Sequence, residues 1–238
     1  MASEQRRAPW WALVASGVVG VVVTSVALLG GGGQSPVQAV SPQRPAVPTV
    51  SEQRPSVTFI GDSWTEGVGA TALRGYAVLT AEQLGWSYTV LGVGGSGYLV
   101  PGRGSTFGER IDRAVATDAD VIVVQGSLNE RASKVADLAP AALDTLKRLR
   151  AEADPKTQIV VLGASYTPGT DPAVIDGING AVSAAADTVG LQFVDVAAQN
   201  WTDPANRSIW ADPNHPNDVG HQLVADHLEK ILEDVDRR

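Results

Sequence analysis

The chain of 238 residues contains no cysteine and only three histidines. The absence of cysteine excludes disulfide bonds, thiol nucleophiles and thiolate metal sites. With His215, His221 and His227 as the only imidazoles, any metal site would have to depend on carboxylates. Basic residues are also in the minority, because 18 lysines and arginines face 26 aspartates and glutamates, a net charge of −8. Nucleic acid is therefore not expected as a partner, since phosphate binding calls for a basic surface.

The length and the 44% hydrophobic content suit one well-buried domain. Four arginines and two glutamates in residues 1–55 leave the rest of the chain with a net charge of −10. We therefore expect an acidic globular domain whose substrate is not a polyanion, and we expect this domain to be a monomer.

Residues 10–29, WWALVASGVVGVVVTSVALL, contain no charged residue. About 20 helical residues at roughly 1.5 Å each span a hydrocarbon core of about 30 Å. Arg6 and Arg7 precede the segment, and Trp10 and Trp11 stand where an interfacial aromatic belt would lie. The pattern predicts a transmembrane signal anchor in the cell membrane, with residues 1–9 in the cytoplasm and the rest of the chain extracytoplasmic.

A cleaved secretory signal is the main alternative, because Val37-Gln38-Ala39 has small residues that a signal peptidase accepts. Removal of residues 1–39 would leave a secreted protein. A buried structural helix over 10–29 is disfavoured, since the segment has no polar face. Residues 30–55 hold four consecutive glycines and five prolines, a composition typical of a disordered linker. The globular domain is predicted over 56–238.

The domain alternates short apolar runs with stretches of helical spacing. Strands that are apolar on both faces and alternate with helices indicate a parallel sheet covered on both sides. The sequence predicts a three-layer α/β/α sandwich with a mainly parallel sheet of about five strands. The predicted strands are 57–60, 87–93, 120–125, 158–163 and 191–197. Two helix faces are predicted, one from Leu138, Ala142, Leu146 and Leu149, the other from Val219, Leu223, His227 or Leu228, Ile231 and Val235.

The first predicted strand runs into Gly61-Asp62-Ser63, at the edge where parallel α/β sheets bind ligands. Such a triplet also suits a simple turn. A serine nucleophile needs a base, and Asp212 and His215 lie three residues apart in the loop WADPNHPND before the last helix. This spacing lets the carboxylate hold the imidazole in one tautomer. We predict Ser63 as nucleophile, His215 as base and Asp212 as its orienting partner.

A second Asp-x-x-His pair opens the last helix. There Asp218 is expected to cap the helix and His221 to be a surface or half-buried residue. His227 is interpreted as a packing residue.

Two further loops at the same edge offer donors for an oxyanion. The loop GVGGSGY after the second strand contains Gly95, and QGSLNE after the third strand contains Asn129. Acyl transfer needs such donors near the developing charge. Taken singly, each loop also reads as an ordinary turn or cap.

These four features together resemble the SGNH hydrolases, the GDSL esterase/lipase superfamily, from about Val57 to Leu232. The resemblance implies a flavodoxin-like fold and a Ser63, His215 and Asp212 triad. It also implies an oxyanion hole made by the amides of Ser63 and Gly95 and the side chain of Asn129. No metal and no organic cofactor is implied.

The third block departs from the family's usual Gly-x-Asn-Asp, because it is Ser127-Leu128-Asn129-Glu130 here. The G-x-S-x-G nucleophile elbow of another esterase fold is absent.

The predicted function is an extracytoplasmic serine esterase that hydrolyses acyl or acetyl esters of lipids or glycans. One alternative is an acyltransferase that moves the acyl group to a sugar hydroxyl of the cell envelope. Another is a catalytically silent binding module. Near the site in sequence lie aromatic residues that would either line a substrate pocket or belong to the core: Trp64, Tyr98, Trp201 and Trp210.

Overall fold

The structure is a computed structural model that describes residues 54–236. Its centre is a five-stranded sheet in the order β2-β1-β3-β4-β5, in which every neighbouring pair is parallel. The predicted parallel α/β fold is therefore confirmed, with strand ends that differ from the prediction by a few residues at most. The strands are β1 (Ser56–Gly61), β2 (Ser87–Gly92), β3 (Val121–Gln125), β4 (Gln158–Leu162) and β5 (Gln192–Val194).

Helices cover both faces of this sheet. They are α1 (Ser63–Glu66), α2 (Tyr76–Leu84), α3 (Ile111–Val115), α4 (Val135–Glu152), α5 (Pro172–Val189) and α6 (Asp218–Asp236). Short 3-10 turns lie at Thr71–Leu73, Gly108–Arg110, Leu128–Ala132 and Arg207–Ile209.

Successive strand residues point to opposite faces and so build two separate cores. Ile60 and Ile122 pack with α3, α4 and α5 on one face. Phe59 and Val123 pack with α2 and α6 on the other. The three-layer arrangement follows from this alternation, because each face of each central strand is apolar.

The sheet order reverses between β1 and β3, which are neighbours although β2 lies between them in the chain. In open α/β sheets, the crevice at such a switch point, beyond the carboxyl ends of the strands, is where ligands bind. The segments that begin at Asp62 and Gly126 leave β1 and β3 there, so their side chains are brought to one place.

The predicted buried face of α4 is confirmed, whereas that of α6 is confirmed at Leu228 and Ile231 and wrong at Val219 and Leu223. Val219 and Leu223 are exposed at 56% and 36%, whereas Leu228 and Leu232 are buried against α2. The predicted cap is also wrong. Asn217 accepts from the backbone N–H groups of Val219 and Gly220, and Asp218 instead binds the backbone and hydroxyl of Thr71.

The predicted transmembrane helix and linker lie outside the described residues, apart from the last two residues of the linker. Within residues 54–236, no helix is both long enough and apolar enough to cross a bilayer.

Candidate active site

Ser63 is the first residue of α1, directly beyond the carboxyl end of β1. The preceding Asp62 caps this helix, because its Oδ1 accepts from the Trp64 backbone N–H at 2.9 Å. Gly61 has to be a glycine, since a Cβ at that position would lie 1.9 Å from the Thr65 hydroxyl oxygen. The chain therefore turns tightly from strand to helix and leaves the Ser63 hydroxyl at the edge of the sheet.

Ser63, His215 and Asp212 form a continuous hydrogen-bonded array. The Ser63 Oγ lies 3.0 Å from His215 Nε2, and His215 Nδ1 lies 2.8 Å from Asp212 Oδ2. An ionised carboxylate can only accept hydrogen bonds, so Nδ1 carries the proton and Nε2 accepts from the serine hydroxyl. This tautomer lets His215 remove the proton of Ser63.

Asp212 is held as a carboxylate by its local backbone. Its Oδ1 accepts from the backbone N–H groups of Asn214 at 2.7 Å and His215 at 2.9 Å. Partial burial alone would raise the pKa of Asp212. The hydrogen bonds from Asn214 and His215 outweigh that effect and hold this pKa below its ordinary value.

The loop that carries His215 is fastened to two other parts of the fold. The indole N–H of Trp64 donates to the Asn214 carbonyl at 2.8 Å. The Gly169 backbone N–H donates to the Pro213 carbonyl, also at 2.8 Å. The residue that follows the nucleophile thus positions the loop that carries the base.

Three residues that line one pocket carry candidate N–H donors: Ser63, Gly95 and Asn129. Among the described residues, neither the backbone N–H of Ser63 nor that of Gly95 has an acceptor. The side-chain amide of Asn129 donates to the Ser96 carbonyl at 3.0 Å, which fixes its orientation and leaves a second N–H. Gly95 and Asn129 both line the pocket with Ser63. The structure therefore brings together every residue that the sequence proposed for this site.

A buried polar network lies behind these donors. The Asp62 Oδ2 is 2.9 Å from the Ser127 hydroxyl, which is also 2.7 Å from the Ser96 carbonyl and accepts from the Asn129 backbone. Burial raises the pKa of Asp62 to about 6. The single hydroxyl proton of Ser127 serves one acceptor at a time, so the protonation of Asp62 decides which acceptor it serves.

Arg110 completes the network at the carboxyl ends of β1 and β2. Its guanidinium is buried and donates to the Gly61 carbonyl and the Ser96 hydroxyl, each at 2.8 Å, and to the Leu91 carbonyl. Burial lowers the pKa of Arg110 to about 10, so it stays charged at neutral pH. One side chain thus ties the ends of β1 and β2 to the loop that carries Gly95. Sequence reasoning missed Arg110, because no local pattern marks it.

His221 lies outside this array and is fully buried, which corrects the expectation of a surface or half-buried residue. Its Nδ1 accepts from the Tyr76 backbone N–H, and its Nε2–H donates to the Val68 carbonyl. Burial lowers the pKa of His221 to about 4, so it is neutral at pH 7. His227 stacks on Trp201 at 5.0 Å, as a packing residue would.

The pocket beside Ser63 has a volume of about 310 Å³. Its lining residues are Ser63, Val68, Gly94, Gly95, Arg103, Asn129 and His215. The aromatic residues considered from the sequence do not line it, since Trp64, Tyr98, Trp201 and Trp210 are all buried in the cores. Within residues 54–236, no group of three acidic or histidine side chains is placed to hold a metal ion.

A serine, a histidine and an aspartate bonded in this order beside unpaired N–H donors is the arrangement of a serine hydrolase. The chain belongs to the GDSL-like lipase/acylhydrolase family, whose model matches residues 59–223. The expected relationship to the SGNH hydrolases is thereby confirmed, and the chain is an ester hydrolase of the GDSL type.

Individual relatives agree with this family. The chain is 31% identical over 187 residues to the GDSL lipase Rv0518 of Mycobacterium tuberculosis, covering 74% of this chain and 80% of the relative. Its fold is similar to that of the lipase/acylhydrolase from Enterococcus faecalis, with a TM-score of 0.61 and 15% identity over 76% of this chain and 96% of the other. An acetylxylan esterase from Geobacillus stearothermophilus gives a TM-score of 0.54 and 20% identity over 74% and 93% of the two chains.

Proposed function

We propose that the chain is a serine esterase that cleaves carboxylic esters through an acyl-enzyme, with Ser63 as nucleophile. The observation that carries this proposal is the hydrogen-bonded array of Ser63, His215 and Asp212 beside the unpaired amides of Ser63 and Gly95.

In the first half of the reaction, the Ser63 Oγ attacks the ester carbonyl carbon as His215 Nε2 takes its proton. The oxyanion is stabilised by the N–H groups of Ser63, Gly95 and Asn129. Collapse breaks the bond to the alcohol oxygen, which receives the proton from His215, and leaves an acyl group on Ser63. Asp212 stabilises the imidazolium that forms between the two proton transfers.

In the second half, a water molecule gives its proton to His215 and attacks the acyl carbon. The carboxylic acid leaves, and the proton returns from His215 to Ser63. If a sugar hydroxyl took the place of this water, the same acyl-enzyme would yield a transferase instead. Product analysis with and without a sugar acceptor separates the two reactions.

The pocket favours esters with a short acyl group. Its volume of about 310 Å³ is near the lower end of the range for ligand pockets, roughly 300–1,000 Å³. Val68 is its only lining residue with an aliphatic side chain. A long acyl chain would gain little by burial there, because apolar stabilisation scales with apolar area. Acetyl and butyryl esters are therefore expected to be better substrates than dodecanoyl esters.

We also propose that the catalytic domain acts outside the cytoplasm, tethered by residues 10–29 or secreted after cleavage. The uncharged length of this segment, the preceding arginines and the Gly- and Pro-rich stretch at 30–55 support this location. Esters of envelope glycans or lipids would be the accessible substrates there.

The catalytic proposal is tested by hydrolysis of p-nitrophenyl acetate. Ser63→Ala and His215→Ala are each expected to lower turnover by several orders of magnitude, because members of a triad act as a unit. His221→Ala is the matched control and is expected to stay within about tenfold of the wild type when folded. An inactive His221 variant beside an active His215 variant would overturn the assignment of the base.

A further inference from the structure

Arg103 brings a cationic side chain to the mouth of the pocket that contains Ser63. Its backbone N–H donates to the Gly94 carbonyl at 3.0 Å. The guanidinium lies against Gly94, where an added Cβ would meet Nη2 at 2.6 Å and Nε at 2.9 Å. The neighbouring Gly95 carries one of the proposed oxyanion donors. The charge of Arg103 is therefore held next to the place where an ester carbonyl would bind.

Glu66 forms an ion pair with this guanidinium. Both of its carboxylate oxygens bind Nη2 of Arg103, at 2.7 Å and 2.6 Å. Arg103 lines the pocket, whereas Glu66 does not. Nε and Nη1 of Arg103 make no hydrogen bond to any residue that the structure describes. The N–H groups on these two nitrogens are therefore available to a ligand at the pocket mouth.

The rest of the pocket lining contains no other arginine or lysine and no carboxylate. The domain as a whole is acidic, so Arg103 is not part of a general basic surface. A polyanion would be repelled by the domain, but a single anionic group at the pocket mouth would meet mainly this arginine. Interactions with surface charges more than about 10 Å away are largely screened at 0.1 M salt.

We propose that Arg103 determines specificity by binding an anionic oxygen group, such as a carboxylate, carried by the ester substrate near the bond that is cleaved. The planar guanidinium suits this role, because its N–H groups match the spacing of carboxylate and phosphate oxygens. This inference rests on the proposed hydrolysis at Ser63 and names the substrate class for that site.

Glu66 then tunes the strength of this recognition. Its carboxylate orients the guanidinium and also offsets part of its charge. Removal of the negative charge by Glu66→Gln is expected to increase the preference for anionic esters, since the amide still accepts a hydrogen bond from Arg103 without opposing a substrate anion.

The test compares kcat/KM for two pairs of esters that differ in one charge. In the first pair, 4-acetoxybenzoate and its methyl ester, the charge is on the alcohol side. In the second, monophenyl adipate and phenyl methyl adipate, the charge is on the acyl side. For each pair, the ratio of kcat/KM for the anionic ester to that for the neutral ester is the charge preference. Comparing this preference between variants cancels differences in intrinsic ester reactivity.

Arg103→Gln is expected to lower the charge preference by at least about fivefold in one of the two pairs, because a charge-assisted hydrogen bond is lost. Glu66→Gln is expected to raise the charge preference, and added salt is expected to lower the charge preference of the wild type. Arg74→Gln is the matched control with unchanged preference, since Arg74 forms a similarly exposed pair with Glu82 and does not line the pocket. An unchanged preference in both pairs for Arg103→Gln would overturn the inference.

A binding measurement separates this outcome from failure of the proposed function. If the wild type hydrolysed none of these esters, calorimetric titration of Ser63→Ala with 4-acetoxybenzoate and with monophenyl adipate would still report charge recognition. Loss of binding in the Ser63→Ala, Arg103→Gln double variant would support the role of Arg103. Equal binding to both variants, or binding to neither, would overturn it.

Discussion

Asn129 is the residue whose role depends most on geometry, because its sequence block departs from the family pattern. Its side-chain amide is fixed by the Ser96 carbonyl at 3.0 Å, and a second N–H remains for the oxyanion. Asn129→Ala is therefore expected to lower kcat by about 10²–10³ with a much smaller change in KM, since the donor acts mainly in the transition state.

The alternative role for Asn129 is purely structural. In that case Asn129→Ala would lower the free energy of unfolding by about 1 kcal/mol and leave kcat near normal. Measuring kcat and melting temperature on the same variant distinguishes the two roles. A folded variant with normal kcat would remove Asn129 from the oxyanion hole and leave the amides of Ser63 and Gly95.

Asp62 and His221 are expected to give opposite pH dependences of stability. Burial raises the pKa of Asp62 from 3.8 to about 6, so the folded state binds its proton more tightly. The contribution of Asp62 to the free energy of unfolding is fully present below pH 3.8 and is lost as the pH rises to about 6. Burial lowers the pKa of His221 from 6.5 to about 4, so its contribution is lost as the pH falls through that range. Each effect is on the order of 3 kcal/mol.

Single variants separate the two effects. Asp62→Asn is expected to fall in stability more steeply than the wild type between pH 6.5 and pH 4, because only the His221 effect remains. His221→Gln is expected to gain stability relative to the wild type as the pH falls over the same interval, because only the Asp62 effect remains. Urea unfolding at several pH values measures both slopes. Identical slopes for the wild type and Asp62→Asn would show that Asp62 is not the source of the effect.

At the residue scale, the side chains that do chemistry were more predictable than those that support them. A serine at the end of a strand and an Asp-x-x-His pair in a Pro-rich loop are visible because the chemistry restricts both residue type and position. Arg103 and Arg110 are not visible in this way. Their partners, such as Glu66 and Gly61, lie 37 and 49 residues away, so only the folded chain brings them together.

At the scale of elements, α1 and the loop that carries His215 are linked by the indole N–H of Trp64. Trp64→Phe removes this donor to the Asn214 carbonyl and keeps an aromatic ring in the core. It is expected to lower kcat by about tenfold, because a loosened loop holds the base less often at the Ser63 hydroxyl.

Trp201→Phe serves as the control, since its indole N–H donates to Gln199 and not to the His215 loop. Both variants are expected to lose a similar amount of stability, about 1 kcal/mol for one hydrogen bond. If the two variants lost equal amounts of kcat, the indole N–H of Trp64 would have no special part in positioning the base.

The strands were predictable because the central ones are apolar on both faces, whereas α6 was predicted only in part. The first two turns of its buried face were misplaced, because Val219 and Leu223 suit a helical period although both are exposed. Its cap was misplaced because Thr71, distant in sequence, binds Asp218. A local sequence pattern does not show that Thr71 competes with the helix N-terminus for the Asp218 carboxylate.

At the scale of the whole molecule, the membrane anchor over residues 10–29 and the linker over 30–55 remain predictions. If residues 10–29 anchor the chain in the cell membrane, protease added outside intact cells should release a fragment that begins within residues 30–55, because a Gly- and Pro-rich tether stays open to cleavage. Sequencing the N-terminus of the released fragment checks this. A mature protein that begins at Val40 and is fully soluble would show cleavage of a secretory signal instead.

The nucleophile itself can be examined with an organophosphonate that carries a p-nitrophenol leaving group and modifies activated serines. Intact-protein and peptide mass spectrometry are expected to show a single modification, on Ser63, with release of p-nitrophenol. Ser63→Ala should remain unmodified, and His215→Ala should react far more slowly because its serine lacks a base. Modification of a different serine, or an equal rate in the folded His215→Ala variant, would contradict a catalytic array of Ser63, His215 and Asp212.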